Sequence, residues 1–486
     1  MKNISGELTD KRVSSPAFHS DAFVEICRNK NLKSCRTGLQ NRAECIILTP
    51  EKKRGGFAVA EIVNKSKYKK RVIDSLVDKY LKTFGAICIE GPKWCGKTWT
   101  SSYHSKSEFL IGNPDNNFQN RSLAELSPSL VLEGETPRLL DEWQEVPPIW
   151  DAVRYTVDQR SEKGRFILTG SSTPKRKGIL HSGAGRIGKL RMRTMSLYES
   201  GDSSGKVSLE DLCQSKITPA MTGEVKLHDL ADYIVRGGWP GNLDVLIEDA
   251  SILPQSYIDA ILDDDTQRID GKKYDVSKMR LLLRSLARNE STTATNKKLM
   301  NDIKEIDDET VDYDTIATYL DVFTRLFLFD NQQPFSTNIR SSVRVKQAEK
   351  RHFCDPALAC ALLKATPNRL IGDLETFGFL FEGMCERDLK IYAEAFGASV
   401  YHYQDYANRE IDAVIELADG NWCAFEIKLG ANQIDKAAAS LIEIRDSIKN
   451  DGGKVPSVLC VICGMTNAAY IRPDGVVVVP ITALKN

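Results

Sequence analysis

The sequence predicts an α/β protein built on a parallel sheet and followed by a second α/β unit, and three observations carry this reading. Between residues 68 and 200, short apolar runs alternate with stretches of helical period, the pattern of a parallel sheet. One run, Ala86-Ile87-Cys88-Ile89-Glu90, leads directly into a Gly-rich loop and then a helix. From about 375 a second series begins: a helix around 376–389, strands at 399–403, 411–417 and 422–428, a helix at 432–448, and strands at 456–463 and 475–480.

Composition narrows the class. The chain has 486 residues with 66 Lys+Arg and 66 Asp+Glu, a net charge of zero, and 42% hydrophobic residues, the balance of an ordinary globular protein. That length suggests about three domains. A uniformly basic nucleic-acid binder is excluded, although a local basic patch is not. No apolar run approaches the ~18 residues that span a bilayer, and the N-terminus lacks the apolar core of a secretory signal. The twelve cysteines show no paired framework. Cys460 and Cys463 form one CxxC inside a β-branched run that reads as a buried strand, without the further ligands of a zinc site. Reduced thiols and a cytoplasmic location are expected. Residues 1–70 carry 15 Lys+Arg against 7 Asp+Glu, and 1–66 read as a basic, flexible extension.

Regular patterning starts near Tyr68, where Val72, Ile73, Leu76, Val77, Tyr80 and Leu81 recur at helical spacing. After the strand at 86–90 come Gly91-Pro92-Lys93-Trp94-Cys95-Gly96-Lys97-Thr98, which fit G-x-x-x-x-G-K-[ST]. The glycines let successive N–H groups turn inward around phosphate oxygens, and the helix start adds its partial positive charge. Lys97 would reach the β/γ-phosphates, and Thr98 would place its hydroxyl on Mg²⁺. A second Mg²⁺ carboxylate is expected at a strand end, and Leu139-Leu140-Asp141-Glu142 supplies it. Asp141 would hold the metal and Glu142 would act as general base on the attacking water. The next strand, 165–169, ends in Thr169-Gly170-Ser171, where Thr169 or Ser171 would sense the γ-phosphate. Arg186, after Gly185, is the arginine-finger candidate, with Arg236 as its rival.

These motifs, with Met195-Ser196-Leu197-Tyr198-Glu199 and Gly237-Gly238-Trp239-Pro240, resemble the AAA-type ATPases of bacteria and archaea that carry a C-terminal domain of unknown function. The resemblance runs from about residue 67 to the end. It implies ATP and Mg²⁺ as cofactors, a P-loop ATPase core, a winged-helix segment and a restriction-endonuclease-like terminal fold. The boundaries expected are 67–200 for the core, 201–275 for a helical lid, 276–340 for the winged-helix segment and 341–486 for the terminal domain.

The terminal part has its own pattern. In 408–416 the period of two puts Glu410, Asp412 and Val414 on one strand face, and Glu426 and Lys428 share a face of the next strand. The turn Ala418-Asp419-Gly420-Asn421 makes the two a hairpin. Asp412, Glu426 and Lys428 therefore form a D…ExK set, in which two carboxylates would hold Mg²⁺ and the lysine would position water. Glu382, on the preceding helix, is the further acid. Helices at 297–306 and 312–320 suggest a helix-turn-helix, although Asp307-Asp308-Glu309 and Asp312 are acidic where phosphates would pass. The expected function couples Mg²⁺-dependent ATP hydrolysis to a nucleic-acid-binding or processing domain. The alternative is an ATP-gated switch whose inactive nuclease-like domain binds a protein or nucleic acid. Partner classes are a nucleotide, DNA or RNA, and a homo-oligomer, with no membrane.

Overall fold

Strand β1, Ala86–Glu90, is buried on both faces, which is why it reads as an unbroken apolar run. Ala86 and Cys88 pack into one cluster and Ile87 and Ile89 into another, so a layer of structure covers each side. The computed structural model describes residues 65–486 except 174–178, 305–310, 339, 343, 345, 346 and 406. The basic stretch before residue 65 and Asp307-Asp308-Glu309 lie outside the described residues.

Helix α1, Asp74–Thr83, precedes β1, and helix α2, Lys97–His104, follows its loop. Four more strands complete a sheet: β2 Ser107–Leu110, β3 Arg138–Asp141, β4 Phe166–Gly170 and β5 Ile187–Arg191. The order is β2-β3-β4-β1-β5, parallel throughout. β1 and β4 are neighbours in space but are separated in sequence by β2 and β3. The chains leaving their C-terminal ends therefore diverge and open a crevice there, the usual ligand position in such sheets.

Past this sheet the chain turns helical, with two short strands, β6 Val207–Ser208 and β7 Ala220–Met221. Helices Leu227–Arg236, Ile252–Ala260, Val276–Arg288, Asn296–Lys304 and Tyr313–Arg325 follow. Their apolar faces merge with helices Pro356–Leu363 and Leu374–Ala395 and with one face of a second sheet into a single core. Asp312 caps Tyr313–Arg325 by accepting from the Thr315 N–H at 2.7 Å, so its acidity has a local structural use.

The second sheet contains β8 Gln333–Pro334, β9 Ser399–Gln404, β10 Glu410–Glu416, β11 Trp422–Lys428, β12 Val458–Cys463, β13 Ala468–Ile471 and β14 Val477–Pro480. With β7 it runs β7-β13-β14-β12-β11-β10-β9-β8. Helix Ile434–Asn450 closes its other face. β15, Leu484–Lys485, pairs in parallel with β6. The sheet thus draws strands from residues 220–221 and 333–334, so a boundary at 341 would separate two of its strands from the rest. Cys460 and Cys463 are buried in β12, and the nine described cysteines are all free and buried. No described helix is long and apolar enough to cross a membrane.

Candidate functional site

The loop after β1 is shaped by two close constraints. A Cβ on Gly91 would lie 2.1 Å from the Met192 carbonyl oxygen, so only glycine fits there. Gly96 has φ +106° and starts α2, a conformation costly for any side chain. The loop is tied to its surroundings through its own carbonyls. Buried Arg71 donates to the Cys95 carbonyl at 2.8 Å and to Glu199 at 2.9 Å. Glu199 also closes a capping box with Ser196, which explains the 195–199 motif. The buried Trp239 indole donates to the Lys93 carbonyl at 3.1 Å, and Lys93 pairs with Asp265 at 2.6 Å. The 237–240 motif therefore holds the phosphate loop.

Facing the loop, the ends of β3 and β4 bring four sequence-predicted groups together. Thr98 donates to Asp141 at 3.0 Å, and Thr169 donates to the same oxygen at 2.6 Å. The Glu142 N–H donates to the Thr169 hydroxyl at 2.9 Å, and Ser171 donates to the Glu142 carboxylate at 2.9 Å. Glu142 has φ +57°, a left-handed conformation that costs a non-glycine residue about 1–3 kcal/mol and here turns its carboxylate toward Ser171. Gln144 donates to both Glu142 and Ser171, a role its sequence position did not announce. Lys97 is buried and donates to the Pro92 carbonyl at 2.7 Å. Trp94 stands half-exposed at the mouth, its ring edge-on to Tyr257. Trp94, Lys97, Thr98, Glu142, Gln144 and Ser171 line a cleft of about 1990 Å³ that reaches Pro240 and Arg268.

The finger candidates lie elsewhere. Arg186 precedes β5, and its carbonyl accepts from the Ala86 N–H, so it sits at the end of the sheet opposite the loop. The length of β1, roughly 3.3 Å per residue, separates them, and Arg186 is paired with Asp158 at 2.7 Å. Parallel pairing is the reason: a residue before β5 must lie beside the start of β1. Arg236 is committed to Asp202 at 2.5 Å. Arg268 instead lines the cleft and has no ion pair among the described residues. Nothing in its local sequence marks it.

The second set also assembles. The β10–β11 register, Ala413↔Phe425, places Asp412 opposite Glu426, and a bulge between Ile411 and Val414 re-aims this stretch. Lys428 reaches Asp412 at 2.8 Å and Glu426 at 2.6 Å, and the Ile427 N–H donates to Asp412 at 2.8 Å. Glu382, from helix Leu374–Ala395, meets Lys350, a residue the sequence reading missed. Lys350 lies 3.7 Å from the other Asp412 oxygen. Burial pushes Glu426 up to about 8, reinforced by the Asp412 charge, and pushes Glu382 up to about 7. Burial would also raise Asp412, but Lys428, Lys350 and the Ile427 N–H outweigh it and hold it at about 2. Among the described residues, no group of three or more His, Cys, Asp or Glu is placed to hold a metal.

Comparison with known proteins bears on the first site. Residues 83–200 match the family described as AAA domain. The chain is a P-loop ATPase. Two domains of unknown function, DUF8612 and DUF4143, match 227–369 and 377–484 of the ATPase. Uncharacterized proteins of Mycobacterium bovis and Mycobacterium tuberculosis are each 24% identical over 347 residues, 70% of the ATPase and 70% of either relative. A solved Walker-type ATPase of Pyrococcus abyssi overlays with a TM-score of 0.39 at 12% identity, covering 61% of this chain and 97% of that one.

Asp141 gives the ATPase a pH signature. Burial, then the neighbouring Glu142 charge, raise its carboxyl to about 6, against the lowering hydrogen bonds of Thr169 and Thr98. The ionised form, which a cation needs, is thus lost as pH falls through about 6 rather than 4. If Asp141 holds Mg²⁺, nucleotide binding should weaken by up to about tenfold per unit below that point. Nucleotide titrations from pH 5 to 8 check this. Higher Mg²⁺ should move the midpoint down, and a flat profile would remove Asp141 from the metal site.

Proposed function

We propose that the ATPase couples Mg²⁺-dependent ATP hydrolysis to a C-terminal domain of restriction-endonuclease-like fold that binds or processes nucleic acid. The observation that carries the hydrolytic half is the bond from the Thr98 hydroxyl to Asp141 at the open end of the sheet. These two residues would hold Mg²⁺, whose charge when bound offsets that on the phosphate oxygens. The fit is supported by the Asp141 carboxyl, whose ionised form is disfavoured by burial and by the Glu142 charge and would gain from a cation beside it. Lys97 leaves the Pro92 carbonyl to face the phosphates. Glu142, held by Ser171 and Gln144, orients water and takes its proton. Arg268 replaces Arg186 as the cation that answers developing phosphoryl charge, so one chain can complete the cleft. A homo-oligomer and a cytoplasmic location remain part of the proposal.

The coupling half rests on direct contacts. Thr173, just past the Ser171 tip, exchanges backbone and side-chain hydrogen bonds with Arg325, at the end of helix Tyr313–Arg325. Asp355 accepts from Thr194 at 2.7 Å, from the Gly238 N–H at 2.9 Å and from Arg387 at 2.9 Å. Core, lid and the helix bearing Glu382 thus meet at one buried carboxylate. In the proposed winged-helix segment, the exposed face of Tyr313–Arg325 carries Asp314, Thr318 and Asp321, while Lys297, Lys298 and Lys304 lie on the preceding helix. Phosphate contact there would fall to the lysines.

The alternative, an ATP-gated switch with a silent terminal domain, is favoured by one observation: Lys350 stands among the acids of the second site. Both readings require linkage between the two ends. A nucleic acid bound to the terminal domain should change nucleotide affinity several-fold, a coupling of about 1 kcal/mol. Nucleotide binding to the Glu142→Gln protein, with and without saturating DNA or RNA, measures it. Identical constants for every nucleic acid shown to bind would dismiss the coupled reading. If none binds, the partner is of another class.

A further inference from the structure

We propose that the acidic cluster of the C-terminal domain carries its own fixed counter-ion, Lys350, and is therefore a closed ion cluster that takes no divalent cation and cleaves no nucleic acid. The inference deepens the proposed function by deciding between its two terminal-domain readings. It rests on the nuclease-like reading of the hairpin and not on ATP hydrolysis.

Lys350 cannot be treated as a mobile surface lysine. It enters the site from a bridge in which its backbone and that of Gln332 exchange two hydrogen bonds, each 2.9 Å. Its side chain is only 5% exposed. Gln332 fixes the site from the same bridge: its side-chain amide donates to the Asp412 carbonyl at 3.1 Å, the Tyr401 carbonyl at 2.9 Å and Glu386 at 3.1 Å. The ammonium so placed meets Glu382 on one side and Asp412 on the other, where a bridging metal would have to sit. Lys428 takes the remaining Asp412 oxygen together with Glu426. Both oxygens of Asp412 are thus spoken for by cations, and one of them also by the Ile427 N–H.

Charge decides the matter. Three carboxylates facing two ammonium groups leave at most one net negative charge in a buried space. A divalent ion would make the cluster net positive unless an ammonium leaves. Lys350 is buried and, if displaced within the site, would be a buried charge without a partner, which is strongly unfavourable. Mg²⁺ also demands near-octahedral geometry and keeps several of its waters, which crowding by two lysines opposes.

The test is Mn²⁺ binding to the full-length, nucleotide-free protein, read by electron paramagnetic resonance, with plasmid nicking in Mn²⁺ as a second readout. The parent and Asp412→Asn should bind Mn²⁺ alike, any shared binding belonging to Asp141. Lys350→Met should gain a site at least about tenfold tighter than anything in the parent, the effect of removing one like charge from a buried site. That gain should vanish when Glu426→Gln is added. A parent Mn²⁺ site lost in Asp412→Asn or Glu426→Gln overturns the proposal. So does parent nicking that disappears in Lys428→Ala, or a folded Lys350→Met that gains no site. Should Lys350→Met not fold, the comparison of parent with Asp412→Asn and Glu426→Gln still decides. ATP turnover by the parent, measured alongside, reports separately on the hydrolytic reading.

Discussion

Lys97→Ala is expected to lower ATP turnover by roughly 10²- to 10³-fold, the usual loss when one preorganised group facing developing charge is removed. Lys97 is buried behind the loop, and its hydrogen-bond partner among the described residues, the Pro92 carbonyl, is a neutral acceptor that gives up little when a phosphate replaces it. Two other cations at the loop are committed elsewhere. Lys93 is drawn off by Asp265, and Arg71 by Glu199 and the Cys95 carbonyl. The loop should keep its shape, because the supports from Trp239 and Arg71 act on carbonyls that the substitution leaves in place. Steady-state phosphate release, with nucleotide binding measured in parallel, reads the effect. Undiminished turnover in a folded variant would mean that this loop does not face the reacting phosphates.

Glu142→Gln separates binding from chemistry. Turnover should fall by roughly 10²- to 10⁴-fold, the range for loss of a positioned general base. Nucleotide affinity should stay within a few-fold, because Thr98 and Asp141 are untouched. The amide oxygen can still accept from Ser171, so the left-handed backbone at this position keeps its local support. Equal losses of affinity and turnover would assign Glu142 a structural part instead.

How far the sequence foretold this site depends on the range of the interactions. The phosphate loop was legible because its residues are contiguous and the flanking strand and helix set their directions. Asp141 and Glu142 were legible because an apolar strand ending in acids has few other uses beside such a loop. The hairpin holding Asp412, Glu426 and Lys428 was legible because a period of two and a tight turn fix its register. Arg186 was chosen by residue type, and local sequence did not show that the strand it precedes starts at the end of the sheet far from the loop. Lys350, Gln144, Arg268 and Asp355 were not foreseen. Each acquires its role through partners brought near only by tertiary packing, such as Asp355 with Thr194, 161 residues away. Nor did local pattern show that β6 and β7 would serve strands near residue 470 and beyond, since two-residue strands carry almost no periodicity.

Those short strands have a consequence for the order of synthesis. β6 pairs with β15, and the Ser203 hydroxyl donates to the Leu484 carbonyl at 2.6 Å. At a ribosomal rate of about 5–20 residues per second, the segment near 207 emerges roughly 14–55 s before its partner near 484. During that interval the helices between residues 227 and 325 expose apolar surface that the still unmade terminal elements will later cover. The nascent ATPase core can close early, since its five strands all lie before residue 192. Everything after it must wait, exposed, for the last strands to arrive. That places the burden of chaperone protection on the middle of the chain rather than on the nucleotide-binding sheet.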